Sequence, residues 1–106
     1  MSKIYIAGKV TGLDPKECAA KFEKMELQLQ AKGWEVVNPV KLINNPGERW
    51  ASAMRTCLLE LTFCDAIFML PCSTDSRGAK IELQHAIECN IDIYTEIKDL
   101  EICKQP

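Results

Sequence analysis

The sequence has little that marks membrane, secreted or nucleic-acid-binding proteins. No apolar run approaches the roughly 20 residues of a membrane helix, and the start of the chain shows no secretory signal pattern. A cytoplasmic protein without membrane contact is therefore expected. The 13 Lys and Arg nearly balance the 15 Asp and Glu, and without a basic excess we expect no nucleic-acid polymer as a partner.

Patterns typical of metal sites and disulfide frameworks are also missing. The chain has one histidine, His85, and no two cysteines form a C-x-x-C pair, so neither a metal nor another cofactor is implied. Most of the cysteines lie inside apolar patterns, which favours reduced thiols that pack as small hydrophobic side chains over a disulfide framework. The six are Cys18, Cys57, Cys64, Cys72, Cys89 and Cys103.

Strand-like and helical segments alternate along the 106 residues, which fit a single domain, 1–106. The strands are predicted at residues 4–7, 34–37, 65–70 and 91–94. The segment from Thr95 to Pro106 fits either a short helix or an edge strand.

Three longer helices are predicted between the strands. The first begins at the capping residue Asp14, with Pro15 at its first position, and ends at Gly33. The third extends from about 78 to 89, after a polar loop at 73–77. The second has an apolar stripe at Trp50, Met54, Cys57, Leu58 and Leu61.

Strands separated by helical crossovers run parallel in one sheet. The sequence therefore predicts a small doubly wound α/β three-layer sandwich of flavodoxin-like (Rossmann-like) type, with four to five mostly parallel strands in the order 2-1-3-4. Ligands bind such sheets beyond the carboxyl ends of the strands where the order reverses, here between the first and third strands. The segments Gly8–Gly12 and Leu70–Glu82 leave the sheet at that point.

The loop after the first strand is the first candidate binding segment. Gly8 and Gly12 flank Lys9 and let the backbone approach a ligand and present N–H groups to an anion. The loop matches neither a dinucleotide nor a Walker A fingerprint. A tight turn without a ligand is the alternative.

The segment Ser76–Glu82 is more informative, because it opens a helix at the crevice. Gly78 and Ala79 leave the first N–H groups accessible, and Ser76 either caps the helix or binds a phosphate. Glu82 lies near the positive end of the helix dipole, which favours its ionised form. Such a carboxylate can attack an anomeric carbon; a surface glutamate that stabilises the helix is the simpler alternative.

Four further residues are candidates with two interpretations each. Tyr5 is expected to be buried, with a substrate or Glu82 as the partner of its hydroxyl. Trp50 belongs to the core or stacks on a base at the pocket wall, and Arg55 is a solvated charge or binds Glu82 or a phosphate. His85, three residues after Glu82, contacts the carboxylate or a ligand, or is simply packed.

Several segments, taken in order, resemble the nucleoside 2-deoxyribosyltransferase-like superfamily. The similarity is greatest to small members from bacteria, phages and prophages, and the 2′-deoxynucleoside 5′-phosphate N-hydrolases are related. The matching segments are Lys3–Gly8 with Thr11-Gly12, Val37-Asn38-Pro39, Trp50 with Met54-Arg55, Cys64–Pro71, and Ser76-x-Gly78-Ala79-x-x-Glu82.

The resemblance implies that Glu82 attacks the anomeric carbon of a nucleoside or nucleotide and expels the base, in deoxyribosyl transfer or in hydrolysis. It implies that Tyr5 contacts the sugar, that the Gly8–Gly12 loop walls the pocket and that Ser76 binds a 5′-phosphate. It also implies a homo-oligomer of two or more subunits with shared sites. The other predicted binding residues are Asn38, Trp50, Arg55, Cys57, Gly78, Ala79 and His85.

Two segments depart from the family pattern. Cys57 stands where the family commonly has an aspartate, and a thiol cannot supply the same charge or hydrogen bonds. Cys72-Ser73 follows Leu70-Pro71 where relatives often have Gly-Trp. The alternative to an enzyme is therefore a catalytically silent nucleotide-binding protein that senses or sequesters a nucleotide-derived signal. An interaction domain without a ligand ranks third.

Overall fold

The computed structural model describes residues 2–45 and 47–100. Four strands form one sheet in the order β2-β1-β3-β4, and every neighbouring pair is parallel. The elements in chain order are β1 (Lys3–Ala7), α1 (Pro15–Ala31), β2 (Glu35–Val37), α2 (Pro39–Leu42), α3 (Trp50–Thr62), β3 (Ala66–Met69), a 3₁₀ helix (Pro71–Asp75), α4 (Arg77–Glu88), β4 (Asp92–Tyr94) and a second 3₁₀ helix (Ile97–Asp99).

The side chains of β1 alternate between two cores, one on each face of the sheet. Tyr5 and Ala7 pack into a core that includes buried residues of α3 and α4. Ile4 and Ile6 pack into a second core with residues of α1. Because a strand directs successive side chains to opposite faces, β1 is covered by helices on both sides. The predicted α/β sandwich and its strand order are confirmed.

The first helix forms where the capping residues predict it. Oδ2 of Asp14 accepts a hydrogen bond from the backbone N–H of Glu17 at 3.0 Å, and Pro15 is the first helical residue. Gly33 follows the helix with φ +92°, a conformation that favours glycine. The predicted cap and end of this helix are confirmed.

Three local differences from the sequence-based expectation arise from capping and turn residues. The short helix α2 was not predicted; it starts because Oδ1 of Asn38 accepts a hydrogen bond from the N–H of Val40. The expected polar loop at 73–77 overlaps the 3₁₀ helix Pro71–Asp75, and α4 begins at Arg77, directly after its cap. In the segment from Thr95, the 3₁₀ helix forms one turn, and residues 101–106 lie outside the described residues.

The described cysteines are free thiols, at positions 18, 57, 64, 72 and 89; position 103 lies outside the described residues. Within 2–45 and 47–100, no helix combines the length and the hydrophobicity needed to cross a bilayer.

The topology places the segments that follow β1 and β3 side by side at one edge of the sheet. β1 and β3 are central neighbours, with Ile6 opposite Phe68 and Ala7 opposite Met69. After β1 the chain continues to β2 on one side, and after β3 it continues to β4 on the other. The two connections diverge from the carboxyl ends of these strands, which leaves a crevice between them.

Candidate functional site

A cavity of about 790 Å³ lies at the carboxyl ends of β1 and β3, where the strand order predicts a ligand site. The loop after β1, α2 with the segment that follows it, and the first turns of α3 and α4 form its walls. The lining residues are Gly8, Lys9, Val10, Thr11, Pro39, Val40, Ile43, Asn45, Glu48, Trp50, Ala53, Met54, Cys57, Asp75, Ser76, Arg77, Gly78, Ala79 and Glu82.

Glu82 is the buried carboxyl group of this cavity. Its side chain lines the cavity although the residue is only 5% exposed. The hydroxyl of Tyr5, which is fully buried in β1, donates a hydrogen bond to Oε2 of Glu82 at 2.5 Å. Oε1 is therefore the oxygen that a bound molecule can approach. The alternative of an exposed, helix-stabilising glutamate is wrong, because Glu82 faces the core and the cavity.

Burial controls the protonation of this pair. Loss of hydration raises the pKa of Glu82 from 4.5 to about 7, and the hydrogen bond from Tyr5 partly opposes that rise. Burial and the neighbouring carboxylate raise the pKa of Tyr5 well above its ordinary value, so Tyr5 keeps its proton and remains the donor. With this pKa, both forms of the Glu82 carboxyl are populated near neutral pH: the ionised form can act as a nucleophile, and exchange between the two forms suits an acid–base group.

Cys57 of α3 forms the wall beside this pair. It is 5% exposed, lines the cavity and lies next to the Tyr5 hydroxyl. Burial raises the pKa of its thiol to about 11. Cys57 is consequently a neutral, small and largely apolar side chain at neutral pH.

The start of α4 presents backbone donors to the cavity. Oγ of Ser76 accepts a hydrogen bond from the N–H of Ala79 at 3.1 Å, so Ser76 caps the helix. The hydroxyl proton of Ser76 is not used in that bond and stays available to a ligand. Gly78 and Ala79 complete this wall, with Gly78 next to Met54 of α3.

Of the two glycines in the loop after β1, Gly8 lines the cavity and Gly12 does not. A Cβ atom on Gly8 would lie 2.7 Å from Cδ1 of Leu70, so a side chain at Gly8 would require Leu70 to move. Lys9 lines the cavity, and its ammonium group pairs with Asp75 at 2.8 Å. Gly12 does not line the cavity. It is exposed with φ +83°, so it forms a turn and does not have the predicted binding role.

Trp50 and Arg77 form a pair at the cavity wall. The guanidinium carbon of Arg77 lies 4.5 Å from the centroid of the Trp50 ring, a cation–π arrangement. Both residues line the cavity, and Trp50 is 38% exposed. Trp50 thus takes the predicted position at the wall rather than the core. Arg77 was missed, although it lies inside the Ser76–Glu82 segment.

Asn38, a predicted binding residue, holds two helices together instead of lining the cavity. It is buried, and its Nδ2 donates a hydrogen bond to Oε1 of Glu26 in α1 at 3.0 Å. Its Oδ1 caps α2. With both ends of the amide engaged, Asn38 has a structural role.

Arg55 and His85 also lie outside the described cavity. Arg55 is exposed, because about 100° of helix rotation separates it from the neighbouring Met54, which faces the cavity. Nε2 of His85 lies 2.7 Å from Oγ1 of Thr62 at the end of α3. His85 is about 4.5 Å further along α4 than Glu82, away from the carboxyl edge of the sheet. His85 is therefore a packed residue rather than a ligand contact, and Arg55 is a solvated charge rather than a partner of Glu82 or of a phosphate.

Glu48 is a cavity residue that the sequence analysis missed. It precedes α3 and lines the cavity. Its Oε2 is buried and has no hydrogen-bond partner among residues 2–45 and 47–100. No motif in the sequence marks this position, since it lies in a loop rich in Asn, Pro and Gly that predicts only a turn.

No curated protein matches this chain. A family described as "Domain of unknown function (DUF4406)" matches residues 2–95. That range includes all four strands, α1 to α4 and every residue that lines the cavity. Because the match covers most of the chain and the whole candidate site, the chain belongs to the DUF4406 family.

Proposed function

We propose that the protein acts on the N-glycosidic bond of a nucleoside or nucleotide, with Glu82 as the nucleophile. The observation that carries this proposal is the buried Glu82 carboxyl, held at one oxygen by Tyr5, in the wall of a cavity at the reversal of the strand order. The resemblance of the surrounding segments to the nucleoside 2-deoxyribosyltransferase-like superfamily supports the same chemistry.

In the proposed first step, Oε1 of Glu82 attacks the anomeric carbon of the sugar. A bond forms between this oxygen and the carbon, and the carbon–nitrogen bond to the base breaks. The electron pair of that bond leaves with the base, which takes up a proton. In the second step water or another base displaces the carboxylate, which gives hydrolysis or deoxyribosyl transfer.

The geometry of the cavity supports a small, partly flat and anionic ligand. A volume of about 790 Å³ is within the range of small-molecule sites. Trp50 lies at the cavity wall and is 38% exposed with Arg77 over its ring, and the part of the ring that Arg77 leaves uncovered offers a stacking surface for a base. The Ser76 hydroxyl and the first N–H groups of α4 are donors of the kind that bind a phosphate.

A second candidate function is a catalytically silent nucleotide-binding protein that senses or sequesters a nucleotide-derived signal. Cys57 favours it, because a neutral thiol stands beside Tyr5 and Glu82 where the resemblance expects an aspartate. A thiol with a pKa of about 11 gives up its proton poorly and carries no charge at neutral pH. Binding would survive that replacement even where turnover does not.

The test is to incubate the purified protein with deoxynucleosides and deoxynucleoside 5′-monophosphates, with and without an acceptor base, and to follow free and exchanged bases by chromatography. We expect base release or exchange that Glu82→Gln abolishes. The matched control is Glu88→Gln, an exposed glutamate at the end of the same helix. Equal activity in Glu82→Gln would contradict the proposal, and tight nucleotide binding without base release would favour the silent binder.

Two further parts belong to this proposal, and the resemblance supports the first of them. The first is a homo-oligomer in which a neighbouring subunit completes each site, with a nucleoside or nucleotide as the small-molecule partner. The second is a cytoplasmic location. The first part is tested by measuring the molar mass of the protein in solution.

A further inference from the structure

Two thiols lie together on the face of the sheet opposite to Tyr5. Cys18 is a buried residue of the core that the sheet forms with α1, and Cys72, in the 3₁₀ helix after β3, packs against that same core. Both are free thiols, and neither lines the cavity. The two cysteines are therefore a cluster of nucleophilic groups that the proposed function does not use.

The backbone of Lys9 connects the two thiols. The N–H of Lys9 donates a hydrogen bond to Sγ of Cys72 at 3.3 Å, and the thiol of Cys18 donates one to the carbonyl oxygen of Lys9 at 3.8 Å. Burial raises the pKa of the Cys18 thiol, and the nearby charge of Cys72 adds to that rise. Both sulfur atoms thus contact a single residue of the loop after β1, and each affects the other.

A cation stabilises the thiolate of Cys72. Nζ of Lys21 in α1 lies 2.9 Å from Sγ of Cys72 and 3.4 Å from the carbonyl oxygen of Lys9. Burial opposes ionisation of Cys72, but the ammonium group and the Lys9 N–H outweigh it and hold the thiol pKa below its usual value. Cys72 is also partly exposed, so a small oxidant can reach its sulfur. A partly exposed thiolate beside a second thiol is typical of cysteines that peroxides oxidise selectively.

We propose that Cys72 and Cys18 are a redox-modified pair, in which a peroxide oxidises Cys72 and Cys18 converts the product to a disulfide. In the first step the Cys72 thiolate attacks one oxygen of hydrogen peroxide. The O–O bond breaks, the sulfur becomes a sulfenic acid and the other oxygen leaves as hydroxide.

In the second step the sulfur of Cys18 attacks the sulfur of the Cys72 sulfenic acid. The S–S bond forms, the S–O bond breaks, and the oxygen leaves as water with the thiol proton of Cys18. The two thiols together give up two electrons, which the peroxide accepts. The disulfide links α1 to the 3₁₀ helix after β3, beside the loop that carries Lys9 into the cavity wall.

The test treats the reduced protein with hydrogen peroxide and maps its cysteines by peptide mass spectrometry. We expect a disulfide between Cys18 and Cys72, with the loss of two hydrogen atoms, that dithiothreitol reverses. In Cys18→Ser, dimedone should trap the sulfenic acid at Cys72. Cys89→Ser replaces the exposed cysteine that follows α4, and this control should form the disulfide as the wild type does.

The contribution of the cation is measured with Lys21→Met. Loss of a hydrogen bond to a charged group corresponds to roughly tenfold in an equilibrium, so we expect Cys72 to be oxidised about tenfold more slowly. Lys24→Met, an exposed lysine on the same helix, should keep the wild-type rate. An unchanged rate in Lys21→Met contradicts the role of the ammonium group.

Three results would overturn the pairing of the two cysteines. They are oxidation of Cys89 ahead of Cys72, a disulfide from Cys72 to any cysteine other than Cys18, and irreversible oxidation of Cys72 without a disulfide. Absence of any reaction at Cys72 contradicts the proposal as a whole. None of these measurements depends on base release, so they leave the proposed function to its own test.

Discussion

The hydroxyl of Tyr5 in β1 donates a hydrogen bond to Oε2 of Glu82 in α4, a residue 77 positions later in the sequence. Both side chains are buried. The bond therefore holds the Glu82 carboxylate against the central strand β1 and leaves its other oxygen, Oε1, available to the cavity. It also stabilises the ionised carboxylate against the cost of burial.

Removing the Tyr5 hydroxyl is predicted to raise the pKa of Glu82 above its value of about 7, because the burial remains and the opposing hydrogen bond is lost. The nucleophile must be ionised, so the pH at which activity is half-maximal should move upwards in Tyr5→Phe. A titration of the Glu82 carboxyl carbon by NMR measures the same shift without substrate. Tyr94→Phe, in β4 against Trp34, is the control. An unchanged Glu82 titration in Tyr5→Phe would contradict the assigned role of the bond.

Glu82→Gln is predicted to stabilise the protein at alkaline pH. The pKa of Glu82 is 4.5 as a free group and about 7 in the fold, so the folded protein holds the proton more tightly. Stability is therefore lost as pH rises from about 4.5 to 7, by about 3 kcal/mol. Glutamine resembles the protonated form and escapes this loss.

Denaturant unfolding of Glu82→Gln and wild type at pH 5 and pH 8 measures this effect. We expect nearly equal free energies of unfolding at pH 5, and a variant more stable by up to about 3 kcal/mol at pH 8. Glu88→Gln, exposed on the same helix, should follow the wild type at both pH values. A variant less stable than the wild type at pH 8 would show that the buried carboxylate is not a stability cost.

The parts of the fold set by local chemistry were predictable from the sequence. Asp14 and Pro15 mark the start of α1 because capping depends on a few adjacent residues. The alternation of short strands and helices gave the sheet order, since crossover connections leave few arrangements. The same topology brought Tyr5 and Glu82 to one edge, and their contact follows from a buried hydroxyl that needs a partner.

The remaining assignments depend on contacts that no local pattern encodes. Asn38 was predicted to bind substrate, but Glu26 of α1 is buried and takes its amide as a partner. His85 lies on the same side of α4 as Glu82 by spacing, yet Thr62 at the end of α3 takes its ring nitrogen. Glu48 has no motif, and its position in the cavity wall depends on how the folded chain brings its loop to the start of α3.

Cys57→Asp is predicted to increase base release if the proposed function is correct, because it restores a carboxylate beside Tyr5 and Glu82. The substitution also buries a second acid next to Glu82, so we expect a free energy of unfolding lower by about 1–3 kcal/mol at neutral pH. Cys57→Ser is the matched control, since it changes the side chain without adding charge. Base release by Cys57→Asp no faster than by Cys57→Ser would show that the thiol is not what limits turnover.

Two apolar side chains at the C-terminal end of α3, one on the helix and one directly after it, give a test of the proposed homo-oligomer. Leu59 and Phe63, one helical turn apart, are 60% and 69% exposed. If a second copy of the chain covers them, Leu59→Glu with Phe63→Glu should lower the molar mass measured by light scattering. Leu27→Glu, exposed on α1, should leave it unchanged. A monomeric wild type would contradict the proposal directly.

Cys72 is predicted to be the most reactive thiol of the described residues. Partial burial raises the pKa of its thiol, but the ammonium group of Lys21 at 2.9 Å and the N–H of Lys9 at 3.3 Å outweigh that effect and hold the pKa below its usual value. The thiolate is the nucleophile in alkylation, so iodoacetamide should label Cys72 at pH values below those at which an ordinary thiol reacts, as followed by peptide mass spectrometry. Lys21→Met removes the cation and should slow labelling of Cys72 while leaving Cys89 unchanged. Equal labelling of Cys72 with and without Lys21 would show that the ammonium group does not stabilise the thiolate.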